Sequence, residues 1–183
     1  MPIQDKGEEC PRLAAVTLVL GGARSGKSRY AEKLIEAAAG CGTYCATAQP
    51  LDAEMSARVR AHRARRGEFW RTVEEPLALA AVIAAEAHSE RPLLIDCLTL
   101  WLSNVMLAGC PVEDEAAAFA AALRLAAGPV VLVANEVGMG LVPETPLGRQ
   151  FRDAAGWLNQ DMAALADRVV FVAAGLPLVL KSG

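Results

Sequence analysis

The sequence is poor in features that mark several classes of protein. Aromatic residues make up 5% of its 183 residues, and the formal net charge is −3 with a pI near 5.5. Nucleic-acid-binding proteins are usually basic, and those that hold single strands place aromatic side chains among their arginines. The composition therefore argues against nucleic acid as a partner, and any basic surface must be local.

Long apolar runs and an export signal are also missing. The longest apolar run, residues 169–180, is shorter than the roughly 18 residues that a membrane-spanning helix needs, and it contains Gly175 and Pro177. The polar start of the chain lacks the basic and apolar regions of a secretory signal. We predict a soluble, cytoplasmic protein with a flexible tail at residues 1–12 and a single domain at residues 13–183.

The five cysteines show no metal-binding pattern. Cys41 and Cys45 have the spacing of one ligand pair, but no second pair accompanies them, so a zinc site is not indicated. An odd, scattered set of cysteines in a chain without an export signal is typical of reduced thiols in the cytoplasm.

The elements that are present alternate between strand and helix. Short apolar runs predict strands at residues 16–20, 43–47, 93–95, 130–134 and 169–173, and helix-forming stretches lie at residues 27–39, 52–66, 78–87 and 148–166. Such alternation predicts an α/β fold with a mainly parallel sheet flanked by helices.

A glycine-rich segment lies between the first strand and the first helix. It reads Gly21-Gly22-Ala23-Arg24-Ser25-Gly26-Lys27-Ser28, which fits the pattern G-x-x-x-x-G-K-[ST] in its required context. The glycines let backbone N–H groups converge on phosphate at the positive end of the helix. Lys27 is expected to reach the outer phosphates, and Ser28 to bind magnesium (Mg2+). The segment predicts a P-loop nucleotide-binding domain of the RecA-like kind.

Acidic residues follow two of the predicted strands. In P-loop proteins an acid at a second strand end holds magnesium directly or through water, and ligands gather at the carboxyl ends of parallel strands. Asp96, directly after residues 93–95, is the leading candidate, and Glu136 is its rival. Either acid is alternatively a helix cap or a solvated loop residue.

One of the two histidines lies among arginines on a predicted helix. Arg58, Arg65 and Arg66 share a helix face with His62. Such a face suits a triphosphate, and the positive charges favour the neutral imidazole, which can attack phosphorus. A solvated basic helix explains the same residues, and spacing alone favours that interpretation. His88 has no such neighbours and is predicted to be a surface residue.

Several segments together resemble a known family, the bifunctional adenosylcobinamide kinase and adenosylcobinamide-phosphate guanylyltransferase of cobalamin biosynthesis. Besides the phosphate loop, the matching blocks are Ala46-Thr47-Ala48-Gln49, Asp52-Ala53-Glu54-Met55, His62-Arg63-Ala64-Arg65-Arg66, Trp70-Arg71-Thr72-Val73-Glu74, Asp96-Cys97-Leu98-Thr99, Asn135-Glu136-Val137-Gly138, Val142-Pro143, Phe151-Arg152-Asp153, Gly156 and Asn159-Gln160. These blocks span nearly the whole chain, and their combination is far more specific than the phosphate loop alone.

The resemblance implies two reactions. ATP or GTP phosphorylates the aminopropanol hydroxyl of adenosylcobinamide, and GTP then gives GMP to adenosylcobinamide phosphate, which yields adenosylcobinamide-GDP. It also implies a covalent guanylyl-histidine at His62, which reverses the preference for a surface histidine. The residues that match the family's nucleotide-contacting positions, besides the phosphate loop, are Ala46, Thr47, Ala48, Arg63, Ala64, Arg65, Arg66, Glu74 and Asp96.

The resemblance has further implications and some departures. The family forms homotrimers, and some members have lost or weakened the kinase step. Some relatives carry two adjacent histidines where this chain has Ala61-His62, so one candidate nucleophile remains. Others carry glutamate at the position of Asp96, and either acid binds magnesium.

Three other functions stay open at this point. A simple kinase would use the phosphate loop, Asp96 and magnesium with an inert His62, and covalent labelling by GTP separates it from the transferase. A RecA-like ATPase or nucleic-acid module would track a phosphate backbone with its arginines, against which the acidic pI stands. A GTP-dependent switch would need a base-reading motif, and none is found.

Overall fold

A computed structural model describes residues 12–49 and 67–183. Its helices are α1 (Lys27–Glu36), α2 (Leu79–Glu86), α3 (Leu98–Leu107), α4 (Val112–Arg124) and α5 (Pro146–Leu165). Its strands are β1 (Val16–Gly21), β2 (Gly42–Ala46), β3 (Trp70–Glu74), β4 (Leu93–Asp96), β5 (Val130–Asn135), β6 (Arg168–Ala173) and β7 (Leu176–Ser182). The predicted tail, apart from Arg12, and the whole of the helix predicted at residues 52–66 lie outside the described residues.

All the described strands form one sheet of seven, in the order β3-β2-β4-β5-β1-β6-β7. Neighbouring strands are parallel from β3 through β6, and β7 pairs antiparallel with β6. The predicted α/β fold with a mainly parallel sheet in a single domain is therefore confirmed.

The inner strands of the sheet are buried on both faces, and along each strand the side chains alternate between the two faces. In β1, Leu18 and Leu20 pack with residues of α2, α3, α4 and α5 on one face. Val19 packs with Ala31 and Ile35 of α1 on the other face. We call the latter the α1 face, and it is the face on which the phosphate loop leads into its helix.

Four elements were not predicted, namely β3, α3, α4 and β7, and most of them have weak local sequence signals. Strand β3 is a sheet edge on which only Trp70 is buried, and helix α3 is apolar on most sides because it packs among the sheet, α4 and α5. A short apolar run does not by itself distinguish a buried helix from a strand. Helix α4 is the exception, because its alanines and its acidic first turn form a clear helix signal.

The apolar run at residues 169–180 divides between β6 and β7 instead of forming one long element. Ala174 and Gly175 both have positive φ, 51° and 80°, and make the two-residue turn of a hairpin. Within the ranges that the structure covers, no helix has both the length and the apolar character needed to cross a membrane.

Candidate nucleotide site

The phosphate loop starts in the middle of the sheet, where Gly21 pairs with Asn135 of β5 and Val172 of β6. A Cβ atom at Gly21 would lie 2.5 Å from Ser25 Oγ and 2.5 Å from the Val172 carbonyl oxygen, so only glycine fits. Gly26, with φ of 96°, turns the chain into α1 in a conformation that side chains disfavour. Both glycines are therefore required by the loop's geometry.

Lys27 folds back across this loop. Its side chain is largely buried, and Nζ donates a hydrogen bond of 3.2 Å to the Gly22 carbonyl oxygen. The first hydrogen bond inside α1 runs from Tyr30 N to Gly26 O, so the amides that precede Tyr30 lack helical partners. Free amides, the helix dipole and one ammonium group together make this position suitable for binding an anion.

The hairpin between β6 and β7 supports the loop from behind. Gly175 N donates a 2.8 Å hydrogen bond to Ser25 O, and a Cβ at Gly26 would lie 3.3 Å from Gly175 Cα. The sequence alone did not predict this contact. The dipeptide Ala174-Gly175 between two apolar runs is the signal that predicts such a hairpin, although not what the hairpin touches.

Asp96 ends β4, where it pairs with Ala46 of β2 and Val133 of β5. Tyr44 donates a 2.7 Å hydrogen bond from its hydroxyl to Asp96 Oδ2, which fixes the direction of the carboxylate. The peptide bond from Asp96 to Cys97 is cis. The acid is partly buried and, like the phosphate loop, lies at the carboxyl end of its strand, where the sequence places it.

Pleating shows which face Asp96 occupies. Leu94, Val131 and Val133 all pack on the α1 face. Asp96 follows Leu94 by two residues, and Asn135 follows Val133 by two, so both share that face. Their side chains therefore lie on the side of the sheet where the phosphate loop turns into α1.

Glu136, the alternative acid, makes hydrogen bonds to neighbouring loop residues. Its N–H donates to Gly21 O at 3.1 Å, and its carboxylate Oε1 accepts a 2.7 Å hydrogen bond from Gly138 N. It comes one residue after Asn135, which turns its side chain away from the α1 face in a continuing strand. These contacts favour Asp96 over Glu136 as the acid that faces the phosphate loop.

The other predicted contact residues form a row at the ends of neighbouring strands. Ala46 pairs with both Glu74 and Asp96. Ala48 is partly exposed beyond the strand, whereas Thr47 is fully buried. Thr47 Oγ1 donates to Cys97 O and accepts from Cys97 N, both at 2.8 Å, so its hydroxyl ties β2 to β4. The sequence predicts a nucleotide contact for Thr47, but its hydroxyl is bonded to Cys97, so in the structure this side chain joins two strand ends beneath the site.

The cationic part of the predicted site lies outside the described residues. It comprises the predicted nucleophile, His62, and its neighbours Arg63, Ala64, Arg65 and Arg66. The two flanking positions are described: Gln49 follows the carboxyl end of β2, and Gly67 precedes the amino end of β3.

Asn135 is not among the predicted nucleotide-binding residues, although an asparagine directly after an apolar strand is a usable signal. Its N–H donates to Thr99 Oγ1 at 2.7 Å, and its carbonyl oxygen accepts from Asn159 Nδ2 at 3.3 Å. Its side-chain Oδ1 is buried without a hydrogen-bond partner. The residue is thus anchored through its backbone while its amide oxygen is unpaired.

The described residues contain no group of three or more histidine, cysteine, aspartate or glutamate side chains that could enclose a metal ion. Magnesium at phosphate loops does not need such a group, because it keeps waters and binds through one or two protein oxygens and the substrate's phosphates. The hydroxyl of Ser28 and the carboxylate of Asp96 are hard oxygen donors of the right type.

Two cysteines near the site are buried and have unreactive thiols. Burial raises the pKa of Cys97 from 9.0 to about 12, with the adjacent Asp96 carboxylate adding to the effect. Burial, with Glu75 and Glu86, raises the pKa of Cys45 to about 12. Neither thiol is therefore a nucleophile at neutral pH.

The rate of thiol alkylation should differ between the exposed and the buried cysteines. At pH 8, iodoacetamide should modify the exposed Cys41 at least about 100-fold faster than Cys45 or Cys97, since the thiolate is the reacting form. Peptide mass spectrometry measures the rates, with protein unfolded in guanidinium as the control. Rapid modification of Cys97 in folded protein would contradict the raised pKa of that thiol.

The same pKa shifts make the stability of the fold depend on pH. Because both thiol pKa values are raised on folding, burial of the two neutral thiols contributes its full stability below pH 9.0, and this contribution is lost as the pH rises toward 12.

The sheet order, the phosphate loop after β1 and the acid at the end of β4 define a P-loop nucleotide-binding protein. The chain also matches, over residues 17–180, the family described as cobinamide kinase / cobinamide phosphate guanyltransferase. It belongs to that family of enzymes, which confirms the resemblance.

Two relatives of known name support this family membership. The chain is 51% identical over 166 residues to the bifunctional adenosylcobalamin biosynthesis protein CobP of Pseudomonas aeruginosa, covering 90% of this chain and 96% of that protein. It is 41% identical over 179 residues to the bifunctional adenosylcobalamin biosynthesis protein CobU of Salmonella typhimurium, with 90% and 98% covered. Among solved structures, the flagellar accessory protein FlaH of Methanocaldococcus jannaschii has a TM-score of 0.53 at 12% identity, over 93% of this chain and 80% of that one. The last similarity concerns the fold alone.

Proposed function

We propose that this enzyme phosphorylates adenosylcobinamide with ATP or GTP and then transfers GMP from GTP to adenosylcobinamide phosphate. The observation that carries the proposal is the pairing of a phosphate loop, closed by buried Lys27, with Asp96 on the same face of the sheet. Membership of the cobinamide kinase and guanyltransferase family supplies the substrate class.

In the first reaction, the aminopropanol hydroxyl oxygen bonds to the γ-phosphorus as the bond to the β–γ bridging oxygen breaks. The nucleoside diphosphate leaves, and a proton is released to solvent. Free backbone amides of the phosphate loop and the Lys27 ammonium hold the phosphates and offset the charge of the transition state. Positioning and electrostatics of this kind supply most of the catalysis in phosphoryl transfer.

Magnesium fits the oxygen donors of the site, and Ser28 and Asp96 are the residues proposed to hold it. When bound, it would neutralise charge on the outer phosphates. Tyr44 keeps the Asp96 carboxylate oriented through its 2.7 Å hydrogen bond. Glu136 remains the alternative acid, although its carboxylate is engaged with Gly138.

In the second reaction, we propose that a neutral His62 nitrogen attacks the α-phosphorus of GTP. Pyrophosphate leaves and a phosphoramidate bond to GMP forms. A phosphate oxygen of adenosylcobinamide phosphate then attacks that phosphorus, and the histidine leaves. Arg63, Ala64, Arg65, Arg66 and Glu74 are proposed nucleotide contacts, of which the arginines supply positive charge. The family membership supports this step.

The test uses GTP labelled at two different phosphates. With adenosylcobinamide and γ-labelled GTP, label should appear in adenosylcobinamide phosphate. With α-labelled GTP, the protein itself should carry acid-labile, base-stable label that is discharged when adenosylcobinamide phosphate is added. Product label without protein label would leave a simple kinase with an inert His62. Neither label, in protein that binds GTP, would refute the proposed substrates.

The proposal also covers assembly and location. We propose a homotrimer that works in the cytoplasm without a nucleic-acid partner. The exposed outer strand supports self-association, because Leu176, Leu178 and Leu180 of β7 are 73%, 61% and 57% exposed. Light scattering should give about three times the chain mass of 19.3 kDa; a monomer mass at micromolar concentration would contradict it.

A further inference from the structure

Asn135 carries a buried amide oxygen that nothing in the described chain satisfies. A buried polar atom without a partner costs free energy, and native proteins retain few of them. Oδ1 of Asn135 is one such atom. A residue kept at this cost is a candidate for function, because an unpaired group is ready for a ligand.

The position of Asn135 relates it to the transferred phosphate. It pairs with Gly21, where the phosphate loop begins, and it lies on a strand between those of Asp96 and Gly21. All three residues are on the α1 face, by the alternation of side chains along the strands. The amide therefore faces the region between Lys27 and the acid at the end of β4.

The backbone of Asn135 is held firmly enough to present the amide in one place. Its N–H bonds to the hydroxyl of Thr99 on α3, and its carbonyl oxygen accepts from Asn159 on α5. Both supporting side chains are nearly buried, at 8% exposed each. Helices on the opposite face thus hold the end of a strand whose last side chain lies on the α1 face.

We propose that Asn135 Oδ1 accepts a hydrogen bond from the acceptor hydroxyl of the kinase step and orients its oxygen toward the γ-phosphorus. This rests on the proposed function. An amide oxygen is an acceptor, so its partner must bring a hydrogen; an unprotonated phosphate oxygen cannot fill this place. The amide takes no proton: the hydroxyl oxygen bonds to phosphorus, the nucleoside diphosphate leaves, and the proton goes to solvent.

The test compares Asn135→Leu and Asn135→Ala with the wild-type enzyme. Leucine has the same branched heavy-atom skeleton as asparagine and removes the unpaired oxygen, so the thermal midpoint should stay the same or rise. The kcat of the kinase step should fall by about 100-fold, because an unoriented hydroxyl loses the benefit of positioning. The KM for the nucleotide should stay within about threefold. Asn135→Ala adds no bulk and decides the matter if leucine disturbs the fold.

Thr17→Val is the matched control. Thr17 lies on the same sheet, is fully buried and also has a hydroxyl oxygen without a partner, but it is at the amino end of β1. Its substitution should keep or raise the thermal midpoint and leave the kinase kcat unchanged. A fall in kcat confined to the Asn135 variants therefore separates a ligand contact from the general effect of removing a buried polar atom.

A second reaction identifies which hydroxyl is bound. If the partner is the acceptor alcohol, labelling of the protein by α-labelled GTP should persist in the Asn135 variants within about threefold. If it is a water on magnesium, both reactions should fall and the magnesium concentration for half-activity should rise. An unchanged kinase kcat in either folded variant overturns the proposal, whereas an inactive wild-type enzyme would refute the proposed function instead.

Discussion

Replacing Lys27 by alanine should abolish both the kinase and the GMP transfer. The ammonium group is the one side-chain cation placed across the phosphate loop, among the residues that the structure describes. Its loss leaves the negative charge of the outer phosphates without that partner in either reaction. We expect kcat/KM to fall at least about 100-fold in both assays. Initial rates with γ-labelled and α-labelled GTP measure the two losses.

Lys33→Ala is the control for that change. Lys33 lies on the same helix, is exposed in its last turn, and carries the same charge. Its removal should leave both rates within about twofold of wild type, since Lys33 is about 9 Å farther along the helix and its exposed charge is screened by solvent and salt. Near-normal kinase turnover in Lys27→Ala, with an unchanged thermal midpoint, would refute the assignment of the phosphate loop.

The His62→Ala enzyme should lose GMP transfer and keep the kinase. Without the imidazole, no phosphoramidate forms, so α-labelled GTP should leave no acid-labile label on the protein. Phosphorylation of adenosylcobinamide from γ-labelled GTP should remain within about threefold, because the phosphate loop and Asp96 are unchanged. Such a split between the two reactions would distinguish a nucleophile from a residue that only binds nucleotide.

The second histidine of the chain provides the comparison for this variant. His88 is exposed, as predicted, and lies in a short turn whose backbone bonds with Arg91. His88→Ala should retain full protein labelling. If His62→Ala retained the label as well, the covalent intermediate would lie on another residue, and the labelled peptide would identify it by mass spectrometry.

Much of the site could be predicted because its signals are local. Gly21 and Gly26 are needed for backbone geometry that neighbouring residues impose, and Lys27 and Ser28 follow them directly on a helix. Asp96 could be predicted for a related reason. The carboxyl ends of parallel strands lie together, and ligands bind there, so an acid directly after a buried strand lies near the ligand. The elements that agree with prediction are those with a strong periodic or apolar signal.

What could not be predicted depends on contacts between distant parts of the chain. The place of Asn135 between Gly21 and Asp96, and its unpaired amide oxygen, are known only once β5 is seen to lie between β1 and β4. Thr47 has the sequence of a contact residue, but its hydroxyl is occupied by Cys97. Neither fact is present in local spacing, because both arise from the order of strands in the sheet.

The amino-acid sequence by itself determined the class of fold, the phosphate loop and the family, because periodicity, glycine spacing and motif blocks act over short stretches of chain. Only the tertiary structure decided which strand ends share the α1 face, that Gly175 supports the loop from behind, and that Asp96 faces it while Glu136 closes a turn. The physical reason is that side-chain direction at a strand end depends on register with neighbouring strands. That register is set by packing residues more than 30 positions apart, such as Asp96 and Val133.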